Sequence, residues 1–311
     1  MDYVSLRVST LRGDQKISFN VYVKINEKMV LYLRRGDSFE GPRLQRLKEK
    51  KLKKMFILTE DETHYRDYLH NNIELAYDNK SGKDISVRSE IVHGQQQANV
   101  EEVFEKPEDA VAYQNTKTMA GKYVQFLLSN STAVSSVMNM ENVDKNLAHH
   151  GVSVSTLAVA LADKLKTVSS EHTQILALGA LLHDLGHLEN QALITIPRNE
   201  MTTEQLSTYL KHPTVGADRV RDLKHFDNQV IRIIREHEEC IDGSGFPNKL
   251  IEKKQDPLSV IVATCNALDR MISFENVPRS EVKKKIMVDR IGKHPLVHIQ
   301  HLGEIIKDLL K

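Results

Sequence analysis

The chain has 311 residues, a length that accommodates about two domains at roughly 100–200 residues each. Its 43 basic and 42 acidic side chains leave a formal net charge of +1, which excludes broad nucleic-acid binding by bulk electrostatics but not a small anion in a local pocket. Two cysteines, Cys240 and Cys265, are too few for a disulfide framework and suit a reducing cytosol. The opening MDYVSLRVST has no basic start followed by an apolar run, and no stretch approaches the roughly 18 apolar residues of a membrane span. A cytoplasmic protein without signal peptide or membrane span is the expectation.

In chain order, Ile17, Phe19, Val21, Val23 and Ile25 alternate with polar residues, as in a half-buried strand. Asn26-Glu27-Lys28 reads as a turn and Met29 to Leu33 as the returning strand. Gly41-Pro42 opens a short basic helix through Leu44 and Leu47. A third strand follows at Lys54 to Leu58, and a helix with Tyr65, Tyr68 and Leu69 begins near Asp61. Residues 1–80 thus predict a small α/β domain, possible site of regulation, with no catalytic constellation. Its basic run at 48–54, KEKKLKK, reads as a solvated helix end or as an anion or partner patch. Residues 81–122 read as a linker with helix, polar at Asn79 to Asp84 and again at Gly94 to Gln97. From Tyr123 to residue 311 the pattern is helical throughout, so the fold class expected is α+β: a small α/β domain followed by an all-α bundle.

The histidines carry the chemical signal. Val154, Leu157, Leu161 and Leu165 form an apolar stripe, and His150, four residues before Val154, continues it. The next helix places Ile175, Leu178, Leu182 and Leu185 inward, with His183-Asp184-Leu185-Gly186-His187 at its end. His212-Pro213 starts another helix. Val230, Ile233 and Ile234 put His237 on an apolar face with Glu238 beside it. A zinc-protease reading of His237-Glu238 fails because Ile241 stands where a second His is required. On a later helix Val262, Asn266 and Asp269 share a face. A core rarely buries so many titratable groups unless a charge compensates their desolvation, and metal cations are the natural partner.

The order His150, His183-Asp184-Leu185-Gly186, His212-Pro213, His237-Glu238-Glu239 and Asp242-Gly243-Ser244-Gly245-Phe246-Pro247 resembles the HD-GYP subgroup of the HD superfamily, over roughly residues 125–311. The resemblance implies an all-helical HD-type bundle that hydrolyses cyclic di-GMP, or a related cyclic dinucleotide, to a linear product. It implies two divalent metal ions, iron foremost, with manganese or zinc also compatible with mixed nitrogen and oxygen ligands. His150, His183, Asp184, His212 and His237 fall on metal-ligand positions, as do Glu238, Asn266 and Asp269. Asp184 and His187 take catalytic positions, and His187, Gly243, Gly245 and Phe246 line the substrate.

The sequence also departs from the family. Glu238 stands for a second His, Asn266 for an Asp, His187 for a phosphate-binding Lys, and Phe246 for the Tyr that names the subgroup. Members with a third metal carry a carboxylate where this chain has Asn146, so two metals are expected. The implied function is a bacterial signalling phosphodiesterase. The alternative is a degenerate receptor that binds a cyclic dinucleotide or a signalling protein without cleaving it.

Overall fold

The structure is a computed structural model that describes residues 2–13, 15–40, 42–140, 146–275 and 277–309. The chain divides into two compact units, residues 1–98 and 99–311.

The first unit is built on a four-stranded antiparallel sheet in the order β1-β4-β2-β3, with β1 Tyr3–Arg7, β2 Val21–Ile25, β3 Lys28–Leu33 and β4 Lys54–Leu58. The β2–β3 hairpin turns on Asn26 and Glu27, both at positive φ (47° and 64°), as a two-residue turn requires if it is to follow the strand twist. Strand β1 was not foreseen, and β2 starts later than its alternation suggests. Ile17 and Phe19 are fully buried but lie outside the ladder, because Ile17 exchanges backbone hydrogen bonds with Gly36 and Asp37. Alternation reports burial here and not pairing.

Helices α1 (Pro42–Glu49) and α2 (Glu62–Tyr77) complete the sheet unit. The turn read at Gly41 lies outside the described residues. Phe19 packs edge-on against Tyr65 and Tyr68, 5.6 and 5.7 Å between ring centroids, which locks α2 to this core. The two phenols are satisfied by Thr10 Oγ1 and the Arg12 backbone N–H, each at 2.8 Å. The segment read as a linker holds α3 (Ile85–Glu105) and the greater part of α4 (Ala110–Ser129).

The second unit is helical: after α4 come α5 (Ala133–Met138), α6 (Leu147–Leu165), α7 (Ser170–Leu182), α8 (Thr203–Tyr209), α9 (His212–Val220), α10 (Asn228–Glu236), α11 (Pro257–Ser273), α12 (Arg279–Asp289) and α13 (Leu296–Leu309). Helices α6 and α11 are buried almost all round, so they form the centre of the bundle. Val154, Leu157 and Leu161 meet Leu176, Ile233, Val262, Leu268 and Leu302 in one core. Asn146 caps α6, accepting from the Ala148 N–H at 2.7 Å, while its amide donates to Glu101 at 3.2 Å. Asp256 and Pro257 start α11 with the cap and first-turn proline that favour a helix there. Tyr123, Phe126 and Leu127 of α4 are buried in the chain itself. No described helix is long and apolar enough to cross a membrane.

Candidate metal centre

Four helix ends deliver the histidines to one place. His150 lies in the first turn of α6, His183 closes α7, His212 opens α9, and His237 closes α10. All four are at most 2% exposed. Asn266 and Asp269 reach them from α11.

Asp184 sits between them. Its Oδ2 lies 3.5 Å from His150 Nε2 and 3.4 Å from His183 Nε2. Its Oδ1 lies 3.4 Å from His212 Nε2 and 3.3 Å from His237 Nε2. Each carboxylate oxygen therefore faces its own pair of imidazole nitrogens.

The outer ring nitrogens fix the tautomers. His183, His212 and His237 each donate Nδ1–H to the carbonyl three residues earlier: Ala180 at 2.7 Å, Tyr209 at 2.6 Å and Ile234 at 2.9 Å. His150 donates Nδ1–H to Asp269 at 2.7 Å, and Asp269 is itself held by the Ser273 hydroxyl at 3.0 Å. In the neutral rings every Nε2 is then a bare acceptor turned inward. His212 and His237 Nε2 come within 2.9 Å of each other, and His150 Nε2 within 3.1 Å of the Asn266 carbonyl oxygen. Lone pairs brought this close repel unless a cation lies among them. Histidine ligands characteristically use this arrangement, one nitrogen anchored and the other free.

The fit to a cation rests on orphaned atoms. Buried His183 Nε2, Asp184 Oδ2 and His187 Nε2 have no hydrogen-bond partner, a costly condition for polar atoms away from water. Three sets, His150–His183–Asp184, Asp184–His187–His212 and His212–His237–Glu238, each bring their ligand atoms within 4.8 Å of one another. Burial would raise the Asp184 pKa, but His183, His237 and His187 outweigh it and hold the carboxyl well below its ordinary range. Burial likewise works against a charge on His183, yet Asp184 raises its pKa above the usual value. His212 is driven well below by burial, then by His187 and His237.

The remaining expected site residues fall in several places. Asp269 stands behind His150 rather than at the centre. Glu238 is gripped by Arg198 at 2.5 Å and the Tyr209 hydroxyl at 2.8 Å, and receives the Asn266 amide at 3.4 Å. Its carboxyl is held well below its ordinary range: burial opposes this, and Arg198, His237 and His212 overcome it. The helix does not persist past His183. A 3-10 segment, Leu185–Thr195, takes over and carries His187 against His212, 3.9 Å between stacked rings. Gly186 makes this possible, since a Cβ there would lie 1.9 Å from the His212 carbonyl oxygen.

His187 is 1% exposed, and its pKa is pushed down to about 4 by burial, against Asp184 and with Arg270. Gly245 packs on the backbone of Glu238 to Cys240, where a Cβ would meet Cys240 N at 2.3 Å. Gly243, at φ 79°, forms the turn beyond it. Phe246 lies over the Arg198 guanidinium, 5.3 Å from carbon to ring centre, and 6.1 Å from the His212 ring.

A solvent-open cavity adjoins the cluster, lined by His237, Glu238 and Asn266 together with Gly245 and Phe246. Arg198, Arg270, Arg290 and Lys293 also line it. None of these four cations was singled out in the sequence. They lie at the start of a short 3-10 turn, on α11, at the end of α12 and in the turn before α13, with no motif to connect them.

The family model for the HD domain matches residues 126–286, more than half of the chain. The chain belongs to the HD-domain family. Its HD-GYP resemblance holds as well. The solved structure of Bd1817, an HDG"Y"P protein from Bdellovibrio bacteriovorus, is 59% identical, with TM-score 0.93 over 98% of this chain and 100% of that one. Cyclic di-GMP phosphodiesterase PA4108 from Pseudomonas aeruginosa is 26% identical over 147 residues, 47% of this chain and 35% of that protein. A cyclic di-GMP phosphodiesterase from Thermotoga maritima is 27% identical over 158 residues, 49% of this chain and 41% of that protein. The chain spans less than half the length of these two relatives.

Proposed function

We propose that this HD-domain protein is a metal-dependent phosphodiesterase that opens cyclic di-GMP, or a closely related cyclic dinucleotide, to a linear product. The observation that carries the reading is the placement of Asp184, whose two oxygens face two separate pairs of inward-turned histidine nitrogens. A carboxylate so placed suits bridging of two cations. One would be held by His150, His183, Asp184 and the Asn266 carbonyl, the other by Asp184, His212, His237 and Glu238. Divalent ions there would polarise phosphoryl oxygens and acidify water near neutral pH. Iron is our first assignment, and imidazole with carboxylate ligands also admits manganese or zinc.

The chain's own residues do the positioning. Asp269 orients His150, and three backbone carbonyls orient the other histidines. His187 buttresses His212 by stacking. Gly245 lets the loop close on Glu238, and Phe246 lines the cavity. The wall cations offset substrate charge, and the resemblance in the relatives' activity supports the substrate class. The N-terminal unit is assigned a regulatory or localising role with a signalling partner, and the protein is placed in the cytoplasm.

A second reading, a receptor that binds without cleaving, is favoured by one feature: Glu238 already spends both oxygens on Arg198 and Tyr209, and Asn266 contributes only a neutral oxygen. The test is incubation of metal-loaded protein with cyclic di-GMP, the linear product being followed by chromatography. The enzyme reading predicts turnover that His183→Ala abolishes. Tight calorimetric binding without turnover would replace it by the receptor.

A further inference from the structure

Beside the histidine cluster the cavity is lined by three cations, Arg270, Arg290 and Lys293, that make no salt bridge with a described carboxylate. Arg270 is 5% exposed. Its guanidinium lies over the rings of Tyr209 and Phe274, 5.2 and 5.6 Å from their centres, and makes no ion pair with a described carboxylate. Burying an unpaired cation is costly, and rings alone offset only part of that cost. Arg290 has a buried Nε with no hydrogen-bond partner. Lys293 is half-buried on the same wall, fixed there because its carbonyl accepts the Ile241 N–H at 2.9 Å.

The two carboxylates in the wall do not balance these three. Glu238 is committed to Arg198 and Tyr209. Glu239 accepts the backbone N–H groups of Asn248 and Leu250, at 2.6 and 2.9 Å, and so holds the loop. Arg270, Arg290 and Lys293 thus face one solvent-open cavity with a surplus of positive charge. Arg270 stands one helical turn beyond Asn266, on the same face of α11.

We propose that Arg270, Arg290 and Lys293 form an anion subsite that holds a second phosphate of the ligand while the first lies at the histidine cluster. This rests on the hydrolytic reading only for the place of the first phosphate. The subsite selects ligands with two phosphate groups over those with one. Guanidinium groups suit it, because their planar donor fork matches phosphate oxygens.

The test uses the whole 311-residue chain, metal-loaded, with the double variant Arg290→Ala/Lys293→Ala and with Arg270→Gln. Calorimetry measures the Kd for cyclic di-GMP, and kcat/KM is measured for cyclic di-GMP and for bis(4-nitrophenyl) phosphate, which has one phosphate. The double variant is expected to retain metal, to raise the Kd about tenfold, and to lower the ratio of the two kcat/KM values about tenfold. An unmodified chain that binds cyclic di-GMP without cleaving it ends the hydrolytic reading, and the Kd comparison still decides the subsite. A Kd changed less than about twofold in both variants overturns the subsite, as does an unmodified chain that does not bind cyclic di-GMP.

Discussion

At the scale of residues, the proposed centre rests on one arrangement: each of its four histidines is anchored at one ring nitrogen, with the other turned inward. His183, His212 and His237 use backbone carbonyls for this, which no side-chain substitution removes. His150 uses Asp269, which substitution can remove. Asp269→Asn is therefore expected to lower metal affinity by about 10–100-fold with little change in fold, read by competition with a chelator of known affinity. An unchanged affinity would place Asp269 outside the ligand support. The four histidines and Asp184 were legible in the sequence because each stands in a short motif or on an apolar helical face. Arg198, Arg270, Arg290 and Lys293 were not, since a lone cation leaves no periodic trace and only folding gathers the four around one cavity. Asp269 was legible as a member of the site, but that it stands behind His150 depends on side-chain direction, which spacing does not give.

At the scale of elements, the centre depends on helix ends. His183 and His237 close their helices and His212 opens its own, so one change of backbone geometry moves a ligand position. The switch from α7 to the 3-10 segment after Asp184 is the sensitive point. The run Leu182 to His187 reads equally well as continued helix, and only the close approach of Gly186 to the His212 carbonyl shows why it is not. Gly186→Ala is expected to destabilise the protein by about 1–3 kcal/mol and to reduce metal retention together with it. Urea unfolding and metal analysis of the same sample check this. A variant as stable as the parent would mean that the segment moves aside freely. In the first unit, the alternation of Ile17 and Phe19 promised a longer strand. Burial was read correctly there, and pairing was not, because the ladder is set by long-range hydrogen bonds.

At the scale of the whole molecule, the chain has two units with separate cores, one around Phe19, Met55 and Tyr65 and one around Leu157, Val262 and Leu302. Among the described residues, the side-chain groups that could hold a metal ion all lie in the second unit. A chelator is expected to lower the melting temperature of one calorimetric transition and leave the other in place. The lost stabilisation is about 4 kcal/mol if free metal stood at a thousand times its Kd. Equal shifts of both transitions would contradict an assignment of the metals to one unit. The division into a sheet-bearing unit and a helical unit was legible, because the period of apolar residues changes from two to three and four along the chain. The measurement that bears most directly on the proposed centre is elemental analysis of the protein as purified, beside His183→Ala and Asp184→Ala. The geometry around Asp184 predicts two equivalents of transition metal per chain, falling in both variants, with the larger fall for Asp184→Ala because it faces both nitrogen pairs. A protein that carries no metal and takes up none when iron, manganese or zinc is supplied would contradict it.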